Sequence, residues 1–360
     1  MATIQKYKTD KGFRWRVRWR TEEGKQKSKT FDRQRLAKDF LTKLEHEMRE
    51  GSYVEPSSIT LREFLESWIE SYKINISPNT ERGYRVNIKH ICSILGDKPL
   101  QKIIPADIET AYAKLGQTLS GTSILYIHRT LSRALKQAER QRLINRNSCD
   151  FVETPKKNKN FKAKFVHPDD IGKYLNAFKG HYLYIAVCLA MFCGLRRGEV
   201  LGLQWKDIDW KASIINIRHN MTDEGLKAPK SGETRTIPLT EAMKEILKEQ
   251  KRKQQRFMEM LWDEYYRSDF VVTYDDGTLI KPRALSKNFA AVLRKANLEL
   301  VRFHDLRHTA ASLMIHEGVE LKTVSEILGH SSISITADIY GHVIEEKKKQ
   351  AAQKLDKYIK

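Results

Sequence analysis

Five side chains in the second half of the chain could do chemistry together. Arg196 lies in Gly194-Leu195-Arg196-Arg197-Gly198-Glu199, and His304 and Arg307 lie in His304-Asp305-Leu306-Arg307. His330 follows Leu328-Gly329, and Tyr340 opens Tyr340-Gly341-His342. Two guanidiniums can hold the non-bridging oxygens of one phosphodiester through paired hydrogen bonds. Two imidazoles can donate hydrogen bonds or move protons. A phenol in that cage can attack phosphorus and keep the bond energy as a phosphotyrosine. The set therefore fits phosphoryl transfer onto a tyrosine without a metal. No acidic cluster suggests a magnesium site, and no phosphate-binding glycine loop for ATP is present.

The flanking pattern says how these groups are positioned. Leu183 to Leu195 is the longest apolar run, one buried helix in length and too short to span a bilayer, and it delivers Arg196 at its end. His304 and Arg307 are three apart and share a face if they begin a helix. Leu306, Ala310, Leu313 and Met314 supply its apolar stripe. Gly329, after Val324, Ile327 and Leu328, reads as a helix stop that aims His330 away from that helix. Ser213 to Arg218 and Arg235 to Leu239 read as paired strands, with a polar, lysine-bearing hairpin from Leu226 to Thr234 between them. Glu345 to Lys360 reads as a basic amphipathic helix with Ala351, Ala352, Leu355 and Ile359 on its apolar side.

Composition narrows the partner. The formal net charge is +20 over 360 residues, which points to a polyanion, nucleic acid first. The length suggests two or three domains, and 40% hydrophobic residues suffice for their cores. Cys92, Cys149, Cys188 and Cys193 make no paired CxxC motif, so a zinc site is not expected. Scattered cysteines suit a reducing, cytoplasmic compartment. No N-terminal stretch resembles a signal peptide, and no membrane partner is expected.

The first unit is read from Phe13-Arg14-Trp15-Arg16-Val17-Arg18-Trp19-Arg20, which alternates apolar and arginine residues. Period two means a strand with two faces. Phe13, Trp15, Val17 and Trp19 must pack on something. Arg14, Arg16, Arg18 and Arg20 would stand about 7 Å apart, near the phosphate spacing of a DNA strand. Met1 to Lys8 and Lys25 to Phe31 would flank this strand. A helix is expected from the cap Asp32 to Glu50, with Leu36, Phe40, Leu44 and Met48 covering the aromatic face. After a linker, Thr60-Leu61-Arg62-Glu63 matches a capping box. From there to about Arg146 the chain reads as helices broken near residues 77–79, 96–99 and 116–121. Their surface carries Arg82, Arg85, Lys89, Arg129, Arg133, Lys136, Arg140 and Arg142. Residues 154–164, with Lys156, Lys157 and Lys159, read as an extended connector, either a solvated linker or a strap across a phosphate backbone.

The ordered set resembles the tyrosine recombinase (phage integrase) family. The resemblance rests on Gly194-Leu195-Arg196 with Glu199, His304-Asp305-Leu306-Arg307-His308-Thr309, Leu328-Gly329-His330-Ser331, and Thr336 to Tyr340 with His342. It is similar in particular to integrases of temperate phages or bacterial integrative elements. It implies a multidomain α+β chain: an arm-type DNA-binding domain (1–55) with a three-stranded sheet and a helix, an all-helical core-binding, SAM-like domain (59–153), a basic linker (154–164), a mainly helical catalytic domain with a small antiparallel sheet (165–345), and a tail helix (346–360). By resemblance Tyr340 is the nucleophile, Arg196 and Arg307 clamp the scissile phosphate, and His304 and His330 complete the cage. The family's hairpin lysine, which protonates the departing 5′-oxygen, corresponds to Lys230, with Lys227 as the alternative. Glu199 would orient Arg196 or His304. His308 and His342 match the family pattern without an evident contact to the phosphate. The implied activity is site-specific integration and excision through a 3′-phosphotyrosine, with no cofactor. The implied partners are double-stranded DNA with core-type and arm-type sites, three further copies of the chain, an excisionase and a DNA-bending host protein, in a bacterial cytoplasm at the nucleoid. The competing readings are a Xer-like resolvase, a type IB topoisomerase-like enzyme and a non-catalytic DNA-binding regulator.

Overall fold

The computed structural model describes residues 2–10, 12–20, 24–51, 53–154, 156, 164–228, 234–330, 332–334, 336–337 and 358. Tyr340, Lys230, Lys157, Lys159, His342 and nearly all of the expected tail helix lie outside the described residues. The chain forms two compact units, Met1–Phe161 and Lys162–Lys360, each described by itself.

The first unit opens with β1 (Thr3–Thr9), β2 (Gly12–Arg20) and β3 (Gln26–Phe31), an antiparallel sheet in that order. Helix α1 (Gln34–Arg49) packs on it. As the alternation predicts, Val17 and Trp19 are buried, joined by half-buried Trp15, while Phe13 at the sheet's end is exposed. Helix α1 meets them with Ala37, Phe40, Leu41, Leu44 and Met48. The expected Leu36 is exposed instead, because the small Ala37 lets the helix approach the sheet in the next phase of the stripe.

Two local expectations are corrected. The α1 N-cap is Arg33, which makes no side-chain capping bond, and the Asp32 carboxylate pairs with Arg14 instead. The arginine face is not a bare row of like charges. Besides the Arg14–Asp32 pair, the Arg16 guanidinium lies 4.6 Å from the centre of the Tyr7 ring. Arg14, Arg16 and Arg18 are half-buried and Arg20 is exposed. Carboxylate and ring relieve part of the repulsion before any polyanion arrives.

The rest of this unit is helical: α2 (Leu61–Tyr72), α3 (Pro78–Leu95), α4 (Pro105–Leu115) and α5 (Gly121–Arg140). The capping box is present, with Glu63 N–H donating to Thr60 Oγ1 at 3.3 Å and Thr60 N–H to Glu63 Oε2 at 2.8 Å. Ser77 and Ser120 cap α3 and α5. Leu65, Ile69, Ile91, Ile108, Ile127 and Leu131 form a core separate from that of the sheet. Trp68, Tyr72 and Tyr84 stack nearly parallel, with centroids 5.0 to 6.4 Å apart.

The second unit begins with α6 (Ile171–Phe178), α7 (Tyr184–Phe192) and α8 (Arg197–Gly202). Strand β4 (Ile208–Asp209) pairs antiparallel with β5 (Ile214–Ile217). Strands β6 (Asn220–Thr222) and β7 (Gly225–Lys227) form a separate small hairpin, and β8 (Arg235–Pro238) returns antiparallel to β5. The predicted strand pair is thus present, with Ile217 opposite Arg235. Helices α9 (Glu241–Leu261), α10 (Pro282–Lys295), α11 (Asp305–His316) and α12 (Leu321–Leu328) complete the unit. Helix α7 is the centre of its core, with Ile185 through Met191 all buried. Among the described residues no helix is long and apolar enough to cross a membrane.

Candidate active site

The site is built on the carboxyl end of α12. A helix leaves its last carbonyls without intrahelical partners and carries a partial negative charge there. Gly329, in the left-handed region at φ +64°, turns the chain so that three successive carbonyls can each meet an arginine. Arg235 Nε donates to Ile327 O at 3.0 Å, Arg307 Nη2 to Leu328 O at 2.6 Å, and Arg196 Nη2 to Gly329 O at 2.5 Å. A Cβ on Gly329 would stand 2.8 Å from Arg235 Cδ, so the close approach needs glycine.

Each arginine arrives on a different element. Helix α7 stops at Phe192, before Arg196, and Gly194 turns the chain at φ +65°. Arg196 therefore precedes the first turn of α8 rather than riding the end of the apolar helix as expected. Arg307 projects from the first turn of α11, is 2% exposed, and donates through Nη1 to Gly194 O at 2.7 Å. It thus ties the α7–α8 turn to the end of α12. Arg235 opens β8.

Three cations on one helix end need an anion, and Glu199 supplies it. Its carboxylate, 3% exposed, accepts Arg235 Nη1 and Nη2 at 2.9 and 2.7 Å and Arg196 Nη1 at 2.8 Å. Arg196 N–H adds a bond at 2.8 Å. Burial opposes ionisation, but the bonds and charge of Arg235, then of Arg196, outweigh it and hold Glu199 at about 2. Of the two partners the expectation offered, Glu199 bonds Arg196, and Arg235 besides.

The imidazoles border this cationic centre. His330 Nδ1 lies 2.8 Å from the hydroxyl of buried Thr336, while its backbone N–H still reaches Ser325 O at 3.0 Å. Desolvation, then the Arg307 and Arg196 cations, push His330 down to about 4. His304 stands at the start of α11, its ring 5.3 Å from that of His308 and edge-on to it. Although the residue as a whole is exposed, its ring is crowded by protein atoms. That desolvation, followed by His308 and Arg307, brings His304 to about 4 as well. Both rings are thereby held in the neutral form at pH 7.

The structure thus brings together Arg196, Glu199, Arg307 and His330, with His304 beside Arg307. Lys227 is exposed on the β6–β7 hairpin, where it pairs with Glu224. That hairpin packs against α8: a Cβ on Gly198 would meet Asn220 Oδ1 at 2.0 Å. Lys156 is exposed. Arg235 was missed by sequence reasoning, which saw only the mouth of a strand. Among the described residues no group of three or more His, Cys, Asp and Glu could hold a metal ion.

Known proteins share this sequence pattern and fold. Residues 164–347 match the phage integrase family, and residues 60–116 match its N-terminal SAM-like domain. A XerC-like tyrosine recombinase of Caldanaerobacter subterraneus subsp. tengcongensis is 31% identical over 338 residues, covering 86% of each chain. The ICEBs1 integrase of Bacillus subtilis is 29% identical, covering 89% of each. Among solved structures, the Tn1549 transposon integrase with a circular-intermediate DNA has a TM-score of 0.68 at 20% identity, covering 82% of this chain and all of that one. A lambda integrase tetramer bound to a Holliday junction has a TM-score of 0.62 at 21% identity, covering 91% of this chain and 95% of that one.

The shifted groups set an acid profile. An unfolded histidine titrates near 6.5, so between about 6.5 and 4 the unfolded chain binds more protons and stability falls as pH falls. Glu199 acts likewise from its ordinary 4.5 down to about 2. Melting temperatures across this range are expected to drop less steeply from pH 6.5 to 4 in His304→Gln/His330→Gln than in the unaltered protein. Parallel profiles would contradict the placement of these rings.

Proposed function

The chain belongs to the phage integrase family of tyrosine recombinases, and from that premise we propose that it is a site-specific DNA recombinase which integrates and excises a mobile element. The observation that carries the reading is the cluster of three guanidiniums with one buried carboxylate, which cancels one of their three charges. It leaves an excess of positive charge, flanked by neutral imidazoles, where a phosphodiester can sit. Arg196 and Arg307 are the ligands of the non-bridging oxygens. They are fixed before the substrate arrives, so developing charge is met without reorganisation.

In the proposed reaction Tyr340 Oη forms a bond to phosphorus while the bond to the 5′-oxygen breaks. A neutral cage histidine accepts the phenol proton, and Lys230 or Lys227 gives one to the leaving 5′-oxygen. The product is a 3′-phosphotyrosine and a free 5′-hydroxyl. Attack by a 5′-hydroxyl of another strand reverses the step and joins the strands. The bond energy is retained throughout, so the scheme uses neither ATP nor another cofactor.

The first unit addresses the enzyme. We place an arm-binding domain at 1–55, with Arg14, Arg16, Arg18 and Arg20 toward DNA, and a core-binding domain at 59–153. Supporting the latter, Arg129, Arg133, Lys136 and Arg140 line an open cleft of about 490 Å³ together with Trp68 and Tyr72. Lys156, Lys157 and Lys159 belong to the linker at 154–164, before a catalytic domain at 165–345 and a tail helix at 346–360. Two DNA-binding units on one chain multiply affinity through effective concentration. Four copies on paired duplexes, an excisionase and a DNA-bending host protein complete the assembly we propose, acting on DNA in a bacterial cytoplasm.

Two outcomes test this. Tyr340→Phe is expected to abolish the covalent adduct with nicked attachment-site DNA while leaving binding nearly intact; an adduct of unchanged yield would refute the nucleophile. Neutralising Arg14, Arg16 and Arg18 is expected to flatten the slope of log affinity against log salt on arm-type DNA, by about 0.9 for each phosphate no longer neutralised. An unchanged slope would leave the arginine strand without a role at DNA.

A further inference from the structure

Glu199 serves two arginines, and the two are unequally placed. The Arg196 side chain is 38% exposed and gives Glu199 one side-chain nitrogen. The Arg235 side chain is 14% exposed, and both its terminal nitrogens are turned onto the two oxygens of Glu199. Its Nε is held as well, by Ile327 O. Arg235 thus spends its planar fork inside the protein, whereas Arg196 keeps donors toward solvent.

We propose that Arg235 is a positioning residue for Arg196: it fixes the Glu199 carboxylate and the last turn of α12, and these two hold the guanidinium that meets the phosphate. The geometry closes a ring. From Arg235 one path runs through Glu199 to Arg196 Nη1, and the other through Ile327, Leu328 and Gly329 to Arg196 Nη2. Of the two contacts that orient the Arg196 guanidinium, one therefore ends on the carboxylate that Arg235 holds, and the other on Gly329 O, two residues beyond the Ile327 carbonyl that Arg235 holds. Packing reinforces the grip, because the side chain of Arg235 lies against Gly329, where a Cβ would come within 3.1 Å of its Nε and Nη1. The placement also explains why an arginine stands at the mouth of β8. Its backbone is fixed by pairing with Ile217 in β5, so the cage is tied to the sheet. Lysine could pair with Glu199 as a point charge but could not fork onto both oxygens and reach Ile327 O together.

The inference rests on the reading of Arg196 as a phosphate ligand, and the test separates the two. Full-length protein at saturating concentration is mixed with a nicked duplex on which the unaltered chain forms its tyrosine adduct, and the single-turnover rate is followed. Arg235→Gln is expected to slow adduct formation about 100-fold, the scale of a misplaced reacting group. Affinity for the same duplex is expected to stay within about three-fold, because the loss falls on the reaction step. Arg235→Lys is expected to lose about ten-fold, retaining the charge without the fork. In an Arg196→Lys background, Arg235→Gln is expected to cost less than about three-fold more, since effects routed through one group do not multiply. An undiminished rate in Arg235→Gln, or the full loss repeated in that background, would overturn the inference. If Arg235→Gln fails to fold, Arg235→Lys alone and combined with Arg196→Lys makes the same comparison. No adduct from the unaltered chain would overturn the reading of the cage itself, and the inference with it.

Discussion

Three arginines from three separate elements end on three successive carbonyls at the close of α12, and the catalytic unit is organised around that convergence. A helix C-terminus offers unpaired oxygens and partial negative charge, so cations are stabilised there. Guanidiniums with different origins could not otherwise be held so close together without strong repulsion. The sharp turn at Gly329 exposes the carbonyls, the turn at Gly194 gives Arg307 a second anchor, and buried Glu199 cancels one charge. What remains is a net-positive cage whose arms are held in place by these bonds.

The same convergence bears on the state of the histidines. Desolvation first, and then the neighbouring charges, Arg307 and Arg196 at His330 and His308 and Arg307 at His304, hold both rings far below the ordinary histidine value. A bound phosphodiester brings negative charge and eases the part of that downward shift that comes from the cations. The proposed acceptor is thus neutral while the site waits and becomes more basic when substrate is in place. Charge complementarity and proton transfer are then two consequences of one arrangement.

Much of this was legible in the sequence where the cause is local. The alternation of β2, the capping box at Thr60, the glycine before His330 and the three-residue step from His304 to Arg307 depend on neighbours in the chain, and each appears as expected. What was missed depends on distant partners. Arg235 meets Glu199 at a separation of 36 residues and Ile327 at 92, and its surroundings in sequence say only that a strand begins. Asp32 looks like a helix cap until the fold brings Arg14 beside it. The α1 stripe could be read in two phases, and only docking against Trp15, Val17 and Trp19 selects Ala37 over Leu36.

A structure of the full chain bound to nicked attachment-site DNA tests the central claim most directly. The account expects the non-bridging oxygens of the scissile phosphate within about 3 Å of Arg196 and Arg307 nitrogens. Arg235 would remain forked onto Glu199, and Tyr340 Oη would lie in line with the 5′-oxygen. A phosphate held by Arg235 with Arg196 turned away, or one seated outside the end of α12, would contradict it.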